Sequence, residues 1–187
     1  AEGGAAGISD SLIRMRELSV QAGNSTLSAS QRNMIQTEID QLASSVSNLS
    51  TSTEFNGQNL LDGTTPGMTF QIGPNNTAAD QMTVNFQDLG SAALGVDALS
   101  MLTEASAGSS IDAVDAALDQ VSTFRAELGG SMNQLSQAAS TLEAATENQQ
   151  DSLSRIQDAD MAMETSRMTA LQVKHSASIA ALGQANG

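Results

Sequence analysis

The 187-residue chain has no cysteine, no tryptophan and no tyrosine, and each absence narrows what it can be. Without cysteine there are no disulfides, no thiolate nucleophile and no cysteine metal site, although a cytosolic and a secreted protein are equally compatible with that lack. Four Phe are the only aromatic residues. The core must therefore come from Ala, Leu, Ile, Val and nine Met, a set that suits slender helices better than a thick globule. Basic residues are scarce: seven Lys and Arg stand against 21 Asp and Glu, a formal charge of −14. Such a charge repels nucleic-acid phosphates and anionic membrane surfaces, so neither is an expected partner. No apolar run approaches the roughly 20 residues of a membrane span, and the first residues lack the basic start and apolar centre of a signal peptide. Export, if it occurs, is expected by another route. The length suffices for one domain with a real core or for one elongated bundle. The chain opens at Ala1-Glu2-Gly3-Gly4 and closes at Asn186-Gly187 directly after a helical pattern, and both ends read as cut.

What is present is helical periodicity. From Ser9, the residues Leu12, Met15, Leu18 and Ala22 return at intervals of three and four, the spacing of one helix face, with Ser9 or Asp10 placed to cap its start. Gly23-Asn24-Ser25-Thr26 breaks the pattern. A second helix is predicted from about Ser28, where Ile35, Ile39, Leu42, Val46 and Leu49 alternate steps of four and three, a coiled-coil seam that ends near Thr53. The N-terminal helices thus occupy residues 9–53. Glu54-Phe55-Asn56-Gly57 brings the Asn-Gly pair favoured in tight turns. Across residues 55–100, alternation within Met68-Thr69-Phe70-Gln71-Ile72 and Met82-Thr83-Val84-Asn85-Phe86 predicts a β-hairpin, and two strands alone need helices to lie against. From Ile111 a long C-terminal helix is predicted. Val114, Val121, Leu128, Leu135, Leu142, Gln149, Ile156, Met163 and Ala170 fall seven apart, with Gln149 alone out of character, and Gly129-Gly130 marks where the helix should bend or loosen. The fold class is mainly α: an elongated antiparallel helical bundle or coiled coil with a small β-hairpin.

Residues able to carry chemistry are few. Asp158, Asp160 and Glu164 form an acidic cluster in which a divalent cation is conceivable. On a helix, however, residues two apart point to different sides, leaving Asp160 and Glu164 as the one same-face pair, so a solvated or subunit-facing surface is expected and no metal. Asp112, Asp115 and Asp119 near the start of the long helix meet the positive end of its macrodipole. His175 is the only histidine, so no His-based zinc set can form, and no nucleophile elbow surrounds any serine. No enzyme and no cofactor are expected. Met161, Met163 and Met168 are read as packing residues, or as an adaptable binding surface. Arg14, Arg16 and Glu17 beside Leu18, with Glu38 on the second helix, would taken alone be a solvated face whose ion pairs contribute under about 1 kcal/mol each.

Four stretches resemble one family. Leu12-Ile13-Arg14-Met15-Arg16-Glu17-Leu18-Ser19-Val20-Gln21-Ala22 is similar to the N-terminal conserved region of bacterial flagellin, and Phe55-Asn56-Gly57 with Leu60-Leu61-Asp62-Gly63 looks like the turn that follows it. Ser154-Arg155-Ile156-Gln157-Asp158-Ala159-Asp160-Met161-Ala162-Met163-Glu164 resembles the C-terminal motif, and Gln184-Ala185-Asn186 falls where flagellins carry the same residues. The resemblance implies a filament subunit, exported by the flagellar machinery with a chaperone and found outside the cell in the flagellum. It implies a D1-like bundle over residues 1–157 and a C-terminal D0 helix over residues 158–187 without its N-terminal partner. The chain departs from a complete flagellin by lacking the N-terminal D0 helix, the last few residues and the large variable insertion. Arg16, Glu17, Asn56, Gly57, Arg155, Ile156, Asp158, Asp160 and Glu164 are its family-motif positions. Flagellin D1 domains are also ligands of host Toll-like receptor 5, and that motif maps onto Arg14, Leu18 and Glu38, with Ile13 in place of the usual Gln. A hook-filament junction protein, or a secreted helical binding or stalk module, is the alternative.

Overall fold

A computed structural model describes residues 1–185, without the side chains of residues 158–160 and 185. Its contacts divide the chain into two compact units, Ala1–Ser136 and Gln137–Gly187.

The first helix, α1, spans Glu2–Ala22 and buries Ala5, Ile8, Leu12, Met15, Leu18 and Ala22. It therefore starts well before Ser9. Gly3, Gly4 and Gly7 disguise the first turns in the sequence, because glycine is a poor helix former. Gly4 has a packing reason. A Cβ there would collide with the Thr53 side chain and lie 2.9 Å from Leu61 Cδ1, whereas a Cβ at Gly3 meets nothing within 4 Å. Gly4→Ala should accordingly destabilise the unit by about 1–3 kcal/mol through overpacking, and Gly3→Ala should stabilise it by up to about 1 kcal/mol. Opposite shifts of the thermal midpoint would show this; equal shifts would refute the close approach.

The second helix, α2, spans Ala29–Ser52 behind Ser28, whose hydroxyl accepts from the Gln31 N–H while the Gln31 side chain accepts from the Ser28 N–H. This reciprocal cap satisfies two otherwise orphaned donors and fixes the start of the helix. The two helices run antiparallel: Ala22 meets Arg32, Arg14 meets Glu38 and Gly7 lies against Leu49. Buried Arg32 closes the connection by donating from Nη1 to the Ala22 carbonyl and from Nη2 to the Asn24 carbonyl at 2.9 Å, which answers acceptors left open at the end of α1.

Strands β1 (Glu54–Phe55) and β2 (Gln58–Asn59) form a short hairpin around Asn56 and Gly57, both at positive φ, 52° and 75°, as its two-residue turn demands. Strands β3 (Gly67–Gln71) and β4 (Gln81–Asn85) pair antiparallel, with Met68 opposite Val84 and Phe70 opposite Met82. Met82 and Val84 turn into the core, while Thr69 and Thr83 share a 3.1 Å hydrogen bond on the exposed face. The expected hairpin is thus present; burial alternates along β4, whereas β3 runs from half-buried to exposed without alternating and leaves Phe70 37% exposed. The irregular stretch after β4 is held against α2: Gln36 donates to the Leu99 carbonyl at 2.9 Å and accepts from the Met101 N–H at 2.7 Å, and Ser47 and Ser91 pair at 2.7 Å.

The third helix, α3, spans Glu104–Ala185. It begins earlier than Ile111 because Thr103 and Ser106 cap each other's backbone N–H groups at 3.1 Å. It also continues through Gly129-Gly130 as one helix. Ala107, Val114, Ala117, Val121, Phe124 and Leu128 complete the core of the first unit. Leu135 is only partly buried, and further along the same heptad series Leu142, Ile156 and Met163 are exposed. The contact boundary falls at residue 136 for that reason.

Candidate functional site

Two surfaces stand out among the described residues. The first lies across α1 and α2. Because these helices run antiparallel in one register, Arg14 reaches Glu38, donating from Nε at 2.9 Å and from Nη2 at 2.8 Å, while Nη1 donates to Glu17 at 3.1 Å. Arg14 is about half exposed, and its guanidinium is held protonated above its usual range by the bond to Glu38 first and to Glu17 next. Ile13 is exposed beside it. Leu18 is placed differently from the expectation: it is 2% exposed and belongs to the core. Its position in the series Leu12, Met15, Leu18, Ala22 puts it on the inward face, so it supports the Arg14–Glu38 patch from beneath instead of meeting a ligand.

Arg16, two residues along, turns to the opposite side of α1 and donates to Asp115 on α3 at 2.6 Å. The Arg16 hydrogen bond holds the Asp115 carboxyl below its ordinary value, against desolvation and with help from the arginine charge. Asp62, in the motif after β2, is lowered in the same sense by hydrogen bonds from the Thr64 hydroxyl and the Asn59 amide. A carboxylate whose folded pKa is depressed contributes stability above its unfolded value and loses it as pH falls through the folded one. The thermal midpoint of the chain should therefore drop once pH passes below 3.8, the ordinary aspartate value. The gap between the wild type and Asp115→Asn should narrow over the same range. A gap that stays constant to pH 2 would contradict the assignment.

The second surface is α3 beyond residue 136. Leu142, Leu153, Ile156, Met161, Met163, Met168, Leu171, Val173, Ile179 and Leu182 are all exposed. Arg155 and Glu164 of the C-terminal motif are exposed on this stretch too, whereas the Asp158 and Asp160 side chains lie outside the described residues. So many large apolar side chains left open on one stretch mark a surface built for contact. The Met161, Met163 and Met168 side chains, read from spacing as core packing, belong to this open surface. Sequence reasoning also missed Arg32 and Gln36, which set the first surface by fixing how α2 lies against α1 and the segment before α3. Neither carries a periodic signal.

The bacterial flagellin N-terminal helical region matches residues 1–65, and the bacterial flagellin C-terminal helical region matches residues 111–187. The flagellin of Bacillus subtilis (strain 168) is 37% identical over 209 residues, covering 94% of this chain and 68% of that protein. The chain belongs to the bacterial flagellin family. It is also 44% identical over 151 residues to YvzB of the same organism, covering 79% of this chain and 93% of that one. The crystal structure of Bacillus cereus flagellin superposes with a TM-score of 0.67 at 26% identity, covering 75% of this chain and 80% of that one. Flagellins are structural proteins, so the chain is a structural subunit of the flagellar filament and not an enzyme. The helical fold with its small antiparallel hairpin is the flagellin fold.

Proposed function

We propose that this flagellin leaves the cell through the flagellar export machinery, accompanied by a chaperone, and polymerises outside into the filament that turns as a propeller. The observation that carries this reading is the open apolar face of α3 after residue 136, which folds as helix but covers none of its large side chains. Head-to-tail packing of such faces without ring closure gives an open filament. Residues 1–157 then serve as the D1-like part and residues 158–187 as the D0-like helix. Expression in a flagellin-less strain, with the culture fluid and the cell surface assayed for the chain, tests export; retention in the cytoplasm would end this reading.

A second role rests on the Arg14–Glu38 patch. The pair joins two helices in one exposed spot, and a partly desolvated arginine beside an apolar side chain such as Ile13 is the kind of group that anchors interfaces. We read it as the surface recognised by host Toll-like receptor 5, with Arg14 and Glu38 in contact and Leu18 in support. The double substitution Arg14→Ala, Glu38→Ala should weaken binding to the receptor ectodomain at least about 30-fold while circular dichroism stays unchanged. Equal binding by both proteins would exclude this surface.

A further inference from the structure

Asn56 and Gly57 take no part in the contacts proposed above, yet they carry a chemistry of their own. Glu54 pairs with Asn59 and Phe55 with Gln58, so Asn56 and Gly57 stand outside the ladder, at φ 52° and 75°. Both are exposed, and a Cβ added at Gly57 would meet nothing within 4 Å. Nothing therefore shields the Gly57 nitrogen from the Asn56 carboxamide one residue before it, least of all a side chain of its own.

Asn56 is the one asparagine among the described residues that is followed by glycine; Asn186-Gly187 repeats the pair outside them. Other asparagines are held differently. Asn24 Oδ1 accepts from the Thr26 N–H and hydroxyl, Asn59 donates to Asp62 at 2.8 Å, and Asn33, Asn48, Asn133 and Asn148 lie within helices. The turn at Asn56 is held by two residue pairs alone. So short a hairpin is marginal, and it opens locally to backbone conformations in which the carboxamide and the Gly57 nitrogen meet.

We propose that Asn56 is a site of spontaneous deamidation whose main product is isoaspartate, the acceptor for a carboxyl methyltransferase. The Gly57 nitrogen attacks Asn56 Cγ, the Cγ–Nδ2 bond breaks, and Nδ2 leaves as ammonia with the proton from Gly57. Water then opens the cyclic imide at either carbonyl to give aspartate or isoaspartate, with no oxidant or reductant involved. Aspartate keeps the turn, since it tolerates positive φ. Isoaspartate does not: an extra methylene enters the backbone, and the two-residue connection no longer matches Phe55 to Gln58. The disturbance stops at the next residues. The Leu60 N–H donates to the Thr53 carbonyl at 3.0 Å, and the Leu61 carbonyl accepts from the Leu89 N–H at 2.9 Å and the Ser50 hydroxyl at 2.7 Å. The hairpin thus records the age of each copy while the bundle stays folded.

The whole protein that carries this chain is kept at mildly alkaline pH and sampled over weeks. Peptide mass spectrometry locates each exchange of ammonia for water, and methyl transfer from labelled S-adenosylmethionine counts isoaspartate. Conversion at Asn56 should exceed that at exposed Asn75 and Asn76 at least about tenfold. Gly57→Asp tolerates the positive φ but places a side chain beside the nitrogen, so it should slow conversion at least about tenfold with circular dichroism unchanged. Amide exchange over residues 54–59 should quicken in the isoaspartyl fraction and stay the same over α2. Equal conversion at Asn56 and Asn75, or a rate indifferent to Gly57→Asp, would overturn the site. Conversion to aspartate alone would overturn the isoaspartyl product.

Discussion

Phe124→Ala should lower the stability of residues 1–136 by about 3–5 kcal/mol, the usual cost of emptying a fully packed aromatic site. Phe124 is completely buried and is the largest of the wholly enclosed side chains, in a core otherwise made of aliphatics and methionine. Small side chains on α1 and α2 cannot collapse into the space it would leave, because Ile8, Leu12, Val46 and Val121 are themselves fully buried. Chemical denaturation followed by circular dichroism measures the effect. Phe55→Ala is the internal comparison: Phe55 is exposed on β1, and its loss should change stability by no more than about 0.5 kcal/mol. Similar costs at the two positions would mean that the core is not centred where α1, α2 and α3 meet.

Replacing Arg32 by Met should cost about 1–3 kcal/mol for each carbonyl left without a donor. Met keeps the aliphatic stem that fills the space and removes the guanidinium that serves the Ala22 and Asn24 carbonyls. The loss should be local first. Amide exchange in residues 23–28 should accelerate before the rest of the unit, since Arg32 ties that connection to α2. The Arg14–Glu38 pair depends on the same helix register, so affinity for the receptor proposed above should fall even though Arg32 itself is buried. Unchanged exchange in the connection would show that the other turn bonds, such as Asn24 accepting from the Thr26 N–H at 3.1 Å, suffice alone.

Much of the fold was legible in the residues for identifiable reasons. Ser28 with Gln31 announces the start of α2 because the reciprocal cap needs those two types three apart. Asn56-Gly57 announces a turn because both positions take positive φ. The starts of α1 and α3 were hidden. Glycines obscure the first, although Gly4 is there for close contact with Thr53. The second is set by Thr103 and Ser106, a reciprocal cap without the Glu or Gln that usually signals one. The heptads of α3 show the limit of periodicity: Val121 and Ile156 belong to one series, yet the first is fully buried and the second 63% exposed. Spacing reports which face is apolar and is silent on what covers it. The Arg14–Glu38 patch divides in the same way. That Leu18 faces inward follows from its place among Leu12, Met15 and Ala22, but that Arg14 meets Glu38 depends on the register fixed by the connection and Arg32.

This filament subunit is proposed above to make its contacts between copies through the α3 surface after residue 136. The most direct measurement is electron microscopy of filaments from a flagellin-less strain expressing the protein that carries this chain, beside a variant with Leu171→Ser and Ile179→Ser on that surface. Filaments are expected from the first, and exported but unpolymerised protein from the second. Filaments of equal length and number from both would contradict it.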